Sequence, residues 1–548
     1  MLQKSQEAFD ERTTVAIVAA ITLLLTSLPY LVGYALAPAD MEFGGLVMNI
    51  EDSQSYLAKM LQGAQGRWLY HIPFTPEEHE GAFVGGFYLF WGWVARLLGL
   101  PIIYLWHASR ILCGTLLLLV TYLFIARFLE DTSERIFAFL LSILGSGFGW
   151  VLLLTGRPFL WGSFPVDFKM PEAHPFFIIL TFPHFSFATA MLLGIFLLFL
   201  EYLRRGRLWW SGLAGVATLL LIIAQPFNMA IVAAVLITYL ALLLLLKRLP
   251  PGGRFGGLLP QPLIPLPLII YYYFVFTTNP VFRAWWEQAS TPSPHPLHYL
   301  LAYGPFILAI PGIMALIREK GEGLLLVAWA VIIPPLLYLP VNPQRRFVEG
   351  LHIPLSILAT IGVYRYLLPR MESSRLWVWI TSHERYEPRS LRRFVLVAIF
   401  LLTLPSSLYV LASLGVTAIQ HPYPFYHERA EVEAVDWLAA HTSGDDTVFT
   451  TYWTGSYIAA RAGNRVFLGH WAETMNYAQK MEEAKTFFGQ ASDKWRRELL
   501  RDYNISYLFY GPRESALPGF QPEGKPYLVE SYSNRLVTIY RVVISKGG

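Results

Sequence analysis

The sequence predicts a polytopic α-helical membrane protein with a smaller soluble α/β domain at its C-terminal end. Three observations predict it. Of 548 residues, 55% are hydrophobic and only 15% are charged, against about a quarter charged in an ordinary soluble chain. Apolar stretches of membrane-crossing length recur between Thr14 and Gln420, and about 20 such residues span a hydrocarbon core roughly 30 Å thick. From His421 onward charge returns and the segments shorten. The composition also excludes other classes. The 17 Trp, 30 Tyr and 37 Phe exclude disorder. A single cysteine, Cys113, excludes a disulfide framework and a Cys-based zinc site. A net charge of +4 is too weak to argue for a nucleic-acid partner.

The elements follow in order. Residues 14–37 carry no charge and read as a retained anchor, too long for a signal-peptide core. Further charge-free stretches lie at 136–156, 174–200, 208–246, 258–282, 299–317, 323–344 and 394–420, with weaker spans at 81–99, 101–126 and 347–364. Gln225-Pro226 divides 208–246 into two helices, because proline cannot continue the ladder. The expectation is about 12–13 transmembrane helices.

Orientation comes from positive charge near span ends. Arg204, Arg205 and Arg207, then Lys247, Arg248 and Arg254, then Arg318 and Lys320, and finally the run from Arg365 through Arg385 to Arg393 are placed in the cytoplasm. The acidic loop 38–80 and everything beyond 420 then face outward. An outer residue 38 and a cytoplasmic Arg204 require an odd number of crossings, yet four hydrophobic segments lie between them. One of these, within 81–126 or around 145–158, is therefore expected to be re-entrant or split. The predicted domains are a membrane domain, 1–420, and an extracytoplasmic α/β domain, 421–548. A plasma (inner) membrane location follows. In the second domain, 428–441, 473–490 and 492–503 read as helices, and 447–451, 465–469, 505–510 and 536–543 as strands.

Chemistry is sought next. No GxxxxGK[ST], HExxH or GxSxG is present, which argues against an ATP-driven pump and a membrane protease. Residues 49–60 (NIEDSQSYLAKM) open an amphipathic helix with Glu51 and Asp52 in its first turn and Tyr56, Leu57, Met60 and Leu61 as its apolar positions. Carboxylates at a helix start complement the macrodipole. They also suit a general base or metal ligand held at the membrane surface.

A long first span, an outer acidic loop with an Asp/Glu pair, then Tyr-Leu-Ala and a helix resembles the GT-C glycosyltransferases, the superfamily of protein mannosyltransferases, aminoarabinose transferases and oligosaccharyltransferases. Gly145 to Trp150, the loop from Asp167 to Glu172, Phe182-Pro-His-Phe185, Asn342-Pro-Gln-Arg-Arg-Phe347, Thr454-Gly-Ser-Tyr457 and Gly469-His-Trp-Ala-Glu-Thr474 extend the match over essentially the whole chain. The family pattern places Asp four residues and Glu three residues before the Tyr. Here Asp52 holds the first place, Ser53 the second, and Glu51 stands on the other side of Asp52. The resemblance thus implies Asp52 as catalytic base, with Glu51 as its neighbour in the acidic pair. It further implies an inverting transfer of sugar from a polyprenyl-phosphate-linked donor to an acceptor glycan, lipid or protein at the outer surface.

The leaving lipid phosphate needs positive charge or a divalent metal. Arg345 and Arg346, between two spans, are the expected phosphate ligands, because guanidinium pairs bidentately with phosphate; snorkelling interfacial arginines are the alternative. His184 lies inside a charge-free stretch or at its outer end, as a functional group or as a buried histidine satisfied by a carbonyl. Asp167, Glu172 and His174 are candidates for substrate contact or, with Asp52, for holding Mn²⁺ or Mg²⁺. Arg110 reads as a helix-end anchor, and His470 and Glu473 as residues that fix the C-terminal domain. Two rival readings remain: a polytopic lipid or solute transporter, for which no matching halves are found, and a non-catalytic protein that only binds a lipid-linked sugar.

Overall fold

Uncharged stretches that cannot satisfy their backbone with water close their hydrogen bonds internally, so helix dominates the chain. A computed structural model describes residues 2–248, 256–382 and 387–544; Arg254 and Arg385 lie outside these. Two units are distinguished: Met1–Leu28, Ala108–Ile269 and Thr291–Ser413 in the first, and Pro29–His107, Ile270–Ser290 and Leu414–Gly548 in the second.

The first unit is helical. Its helices include Ile102–Phe128 from Ala108 onward, Thr132–Ile143, Pro183–Arg205, Leu208–Ala224, Asn228–Leu245, Leu324–Leu336 and His352–Gly362. Leu208–Ala224 packs along Pro183–Arg205, and Asn228–Leu245 along Leu324–Leu336. Asp131 caps Thr132–Ile143 by accepting from the Ser133 amide at 2.8 Å. The division at Gln225-Pro226 is as expected. Arg110 is not a helix-end anchor: it is 1% exposed and donates to the Thr26 and Ile179 carbonyls at 3.2 and 3.3 Å and to Ser27 Oγ at 2.9 Å.

The number of long spans is smaller than expected. Among the described residues six helices are long and apolar enough to cross a membrane, or eight if two bent pairs each count once. Proline accounts for part of the difference. Pro388–Thr403 and Pro405–Gln420 meet at a 44° bend, and Leu208–Ala224 and Leu324–Leu336 fall short of span length. The stretch 136–156 is also not one helix. It ends at Ile143 and resumes as the short helix Gly149–Leu154.

The second unit contains the helices Ile50–Ala64 and Gly86–Leu98 and the strands β1 (Met41–Phe43) and β2 (Tyr426–Glu428), which pair antiparallel with Glu42 opposite His427. It also holds the strands β3 (Thr447–Phe449), β4 (Arg465–Val466), β5 (Ile505–Tyr510), β6 (Leu528–Ser533) and β7 (Thr538–Val542). These form one mixed sheet in the order β4-β3-β5-β7-β6, parallel across β4-β3-β5 and antiparallel across β5-β7-β6. Phe449, Phe467, Phe487, Phe488, Leu508 and Phe520 fill the core against the helices Tyr477–Phe488 and Asp493–Asp502. Strand β6 and the helix Tyr452–Arg461 were not anticipated by the sequence pattern.

Candidate functional site

The helix Ile50–Ala64 begins after Asn49, which adopts φ 46° and makes no side-chain cap. Of its apolar residues Met60 is buried, whereas Tyr56, Leu57 and Leu61 are only half-buried. The buried face is instead polar, with Ser53, Gln54, Ser55, Lys59 and Gln62.

Asp52, in the first turn, meets His470: Nε2 of the imidazole lies 3.1 Å from Oδ1 of the carboxylate. Asp52 keeps 31% of its side chain exposed and His470 only 5%. The carboxylate is therefore reachable from solvent while its orienting partner is not. Glu51, beside it, faces the Tyr452 phenol; burial and that carboxylate together push the phenol far above its ordinary value.

One turn deeper is a closed ionic cluster. Glu473 Oε1 accepts from Lys59 Nζ at 2.8 Å and from Ser55 Oγ, and Oε2 accepts from the Tyr70 hydroxyl at 2.6 Å. Lys59 also donates to Ser55 Oγ at 2.6 Å and sits 4.3 Å from the Tyr70 ring centre. Lys59 and Glu473 are 2% and 1% exposed. Gly85, at φ 69°, leaves room for the lysine stem; a Cβ there would stand 2.6 Å from Lys59 Cδ. Burial pulls the Lys59 ammonium below its ordinary value against the opposing pull of Glu473. Burial pushes the Glu473 carboxyl up, but Lys59, His470 and Ser55 together hold it below its ordinary value of 4.5. A second buried cation, Lys480, donates to Glu77 at 2.6 and 2.7 Å.

The remaining predicted residues belong to the first unit. Asp167 is buried and accepts from the Gly149 amide at 3.0 Å; burial pushes its carboxyl up. Glu172, 3% exposed, lies 3.6 Å from Arg345 Nε, and Arg345 is 27% exposed. Arg346 stands over the Phe227 ring at 5.3 Å. His352 Nε2 donates to the Leu141 carbonyl at 2.9 Å, which makes its Nδ1 the acceptor; His174 Nδ1, 3.0 Å away, is then the donor. His184 is buried in the first turn of Pro183–Arg205 against Phe182 and Phe185. Among the described residues no three His, Cys, Asp or Glu side chains are grouped as metal ligands would be.

Three groups of this arrangement were not foreseen as site residues. His470 and Glu473 were assigned to the C-terminal domain alone, and Lys59 was counted only as a charge in the outer loop. Glu349 was also overlooked; it is fully buried and accepts from Thr189 Oγ1 at 3.0 Å. An ionisable residue inside an apolar run was the available signal for it.

No family model and no curated protein sequence matches the chain. Solved structures do. The arabinofuranosyltransferase AftD from Mycobacteria matches with a TM-score of 0.58 at 16% identity, over 98% of this chain and 40% of that one. ArnT from Cupriavidus metallidurans, bound to undecaprenyl phosphate, matches with a TM-score of 0.49 at 14% identity, over 96% and 99%. The Archaeoglobus fulgidus oligosaccharyltransferase, tethered with an acceptor peptide, matches with 0.49 at 12%, over 89% and 69%. The chain is thus similar in fold to AftD while spanning 40% of its length.

Proposed function

We propose that the protein transfers a sugar from a polyprenyl-phosphate-linked donor to an acceptor hydroxyl at the outer face of the plasma membrane, with Asp52 as general base. The observation that carries this reading is the Asp52 carboxylate itself: partly exposed, at a helix start, and held by a buried imidazole at 3.1 Å. The fold shared with a protein named as an arabinofuranosyltransferase supports the reaction class.

The chemistry is one displacement. The acceptor oxygen attacks the anomeric carbon and its proton passes to Asp52 as the new C–O bond forms. The bond from that carbon to the phosphate oxygen breaks, and its electron pair leaves on the lipid phosphate. A single displacement inverts the anomeric centre. His470 Nε2–H donates to the base and fixes its orientation, which matters because general catalysis depends on hydrogen-bond reach. The departing phosphate is assigned to Arg345 and Arg346 on guanidinium chemistry alone. Glu172 lies beside Arg345, 3.6 Å from its Nε.

Asp52→Asn tests the assignment. Asn matches Asp in size and its Oδ1 can still accept from His470, so a structural role survives the change. A base does not, because an amide cannot take the proton. The purified variant in liposomes, given a panel of radiolabelled sugars on polyprenyl phosphate, is expected to transfer at least about a hundredfold more slowly than the unaltered protein. Near-normal transfer would refute Asp52 and turn attention to Glu51. Donor binding without transfer by the unaltered protein would favour the non-catalytic reading, and lipid or solute flux would favour the transporter.

A further inference from the structure

We propose that Glu473 and Lys59 are positioning residues for Asp52: the turn 470–474 braces the helix Ile50–Ala64 at two points of one face. The inference rests on Asp52 being the base. Asp52, Ser55 and Lys59 stand at i, i+3 and i+7, and so line one face of the helix. His470 and Glu473, three apart on the turn, meet that face in register. The first engages Asp52 and the second engages Ser55 and Lys59.

The turn itself is closed and anchored. The Glu473 and Thr474 amides donate to the His470 carbonyl at 3.0 and 2.9 Å, and Thr474 Oγ1 donates to the Phe74 carbonyl at 2.8 Å. Asn49, in the left-handed region, makes no side-chain cap to the helix start, and His470 and Glu473 contact the first two turns of the helix from elsewhere in the chain.

The chemistry of the brace points the same way. A buried ion pair is a poor stabiliser, because desolvating both charges offsets most of their attraction. Its merit is geometric: a charged hydrogen-bonded pair accepts few alternative arrangements. Catalysis rewards that merit, since misplacing a reacting group by about 1 Å can cost about a hundredfold in rate.

The test is the double variant Lys59→Met with Glu473→Gln, in the full-length protein. Gln keeps an acceptor for Tyr70 and a donor for Ser55, and Met replaces the lysine stem. Because the charges leave together, the unfolding temperature should stay within a few degrees of the parent. Amides 53–56 should exchange hydrogen about tenfold faster or more. Transfer, measured with whichever donor of the panel the parent uses, should fall about 10- to 100-fold in kcat with KM unchanged. Unchanged exchange at 53–56 together with unchanged kcat would overturn the proposal.

Should the double variant fail to fold, Tyr70→Phe and Ser55→Ala each remove one strut and leave the ion pair. The same loosening, smaller, is expected in the same amides, and its absence overturns the brace. If none of the donors is used by the parent, the exchange measurement alone decides. Asp52→Asn run in parallel separates the two ideas. Activity in that variant removes the base, whereas an inactive Asp52→Asn beside a fully active double variant removes only the brace.

Discussion

Replacing Lys59 alone by Met should destabilise the second unit by an amount that depends on pH in a calculable way. The substitution strands the Glu473 carboxylate, 1% exposed, without its charge partner. Breaking a buried pair from one side costs about 3–5 kcal/mol. The carboxyl can limit that cost by taking a proton, at about 1.36 kcal/mol for each pH unit above its ordinary value. With that value at 4.5, the limit is roughly 3.4 kcal/mol at pH 7 and roughly 1.4 kcal/mol at pH 5.5. The sign follows from linkage. In the parent the folded pKa lies below the unfolded one, so Glu473 contributes stability above pH 4.5 that is lost as pH falls through the folded value. In the variant the folded pKa rises above the unfolded one, so the penalty grows with pH. Thermal unfolding in detergent, followed by tryptophan fluorescence, should show a deficit of about 7–14 °C at pH 7 that shrinks to about 3–6 °C at pH 5.5. Adding Glu473→Gln should recover most of it. A deficit that is equal at both pH values, or absent at pH 7, would refute the reasoning.

Three further outcomes are expected. Lys480→Met should cost less than Lys59→Met, about 1–3 kcal/mol, because its partner Glu77 is 28% exposed and water can take over; an equal or larger loss of unfolding temperature would contradict this. Arg345→Gln with Arg346→Gln should weaken binding of a polyprenyl phosphate about tenfold or more, since charged hydrogen bonds are worth about 1.5–3 kcal/mol; unchanged lipid affinity by native mass spectrometry would return both to interfacial anchoring. With the buried Cys113 replaced, cysteines at the exposed Glu78 and Asp445 should react with an impermeant label from outside, and one at Arg204 only from the cytoplasm. The opposite pattern would invert the orientation.

The fold was legible wherever one short-range rule decided it. Charge-free runs became helices, and Gln225-Pro226 ended one because proline cannot donate. Strands β3, β5 and β7 fell where alternation and turn residues had put them. The rule failed where hydropathy and backbone geometry disagree. Residues 136–156 carry no charge, but Leu144 to Phe148 leave the helix, and Ser146 bonds instead to the Thr403 carbonyl at 2.8 Å through its amide and its hydroxyl. A hydropathy window sees the apolar side chains and cannot see a carbonyl 257 positions away.

The candidate site divides along the same line. Asp52 was nominated from the sequence because a carboxylate in a first turn is a local feature and the family resemblance carries a base to that position. Its partners were not, because His470 lies 418 residues from Asp52 and Glu473 lies 414 from Lys59. The helix between them carried one overlooked signal. Its apolar residues drew the attention, yet Lys59 falls among them at i+7 from Asp52 and i+4 from Ser55. In a chain with 15% charged residues, a lysine on the helix that bears the candidate base can be placed inward only with a counter-charge, and such a charge fixes geometry more than it adds stability. Reading the polar face as the inner one would have required an acid elsewhere in the outer segments, and Glu473, three residues after a histidine, is the acid that meets it. The polar stripe Asp52, Ser55 and Lys59 therefore held more information about the site than the apolar stripe held about the fold.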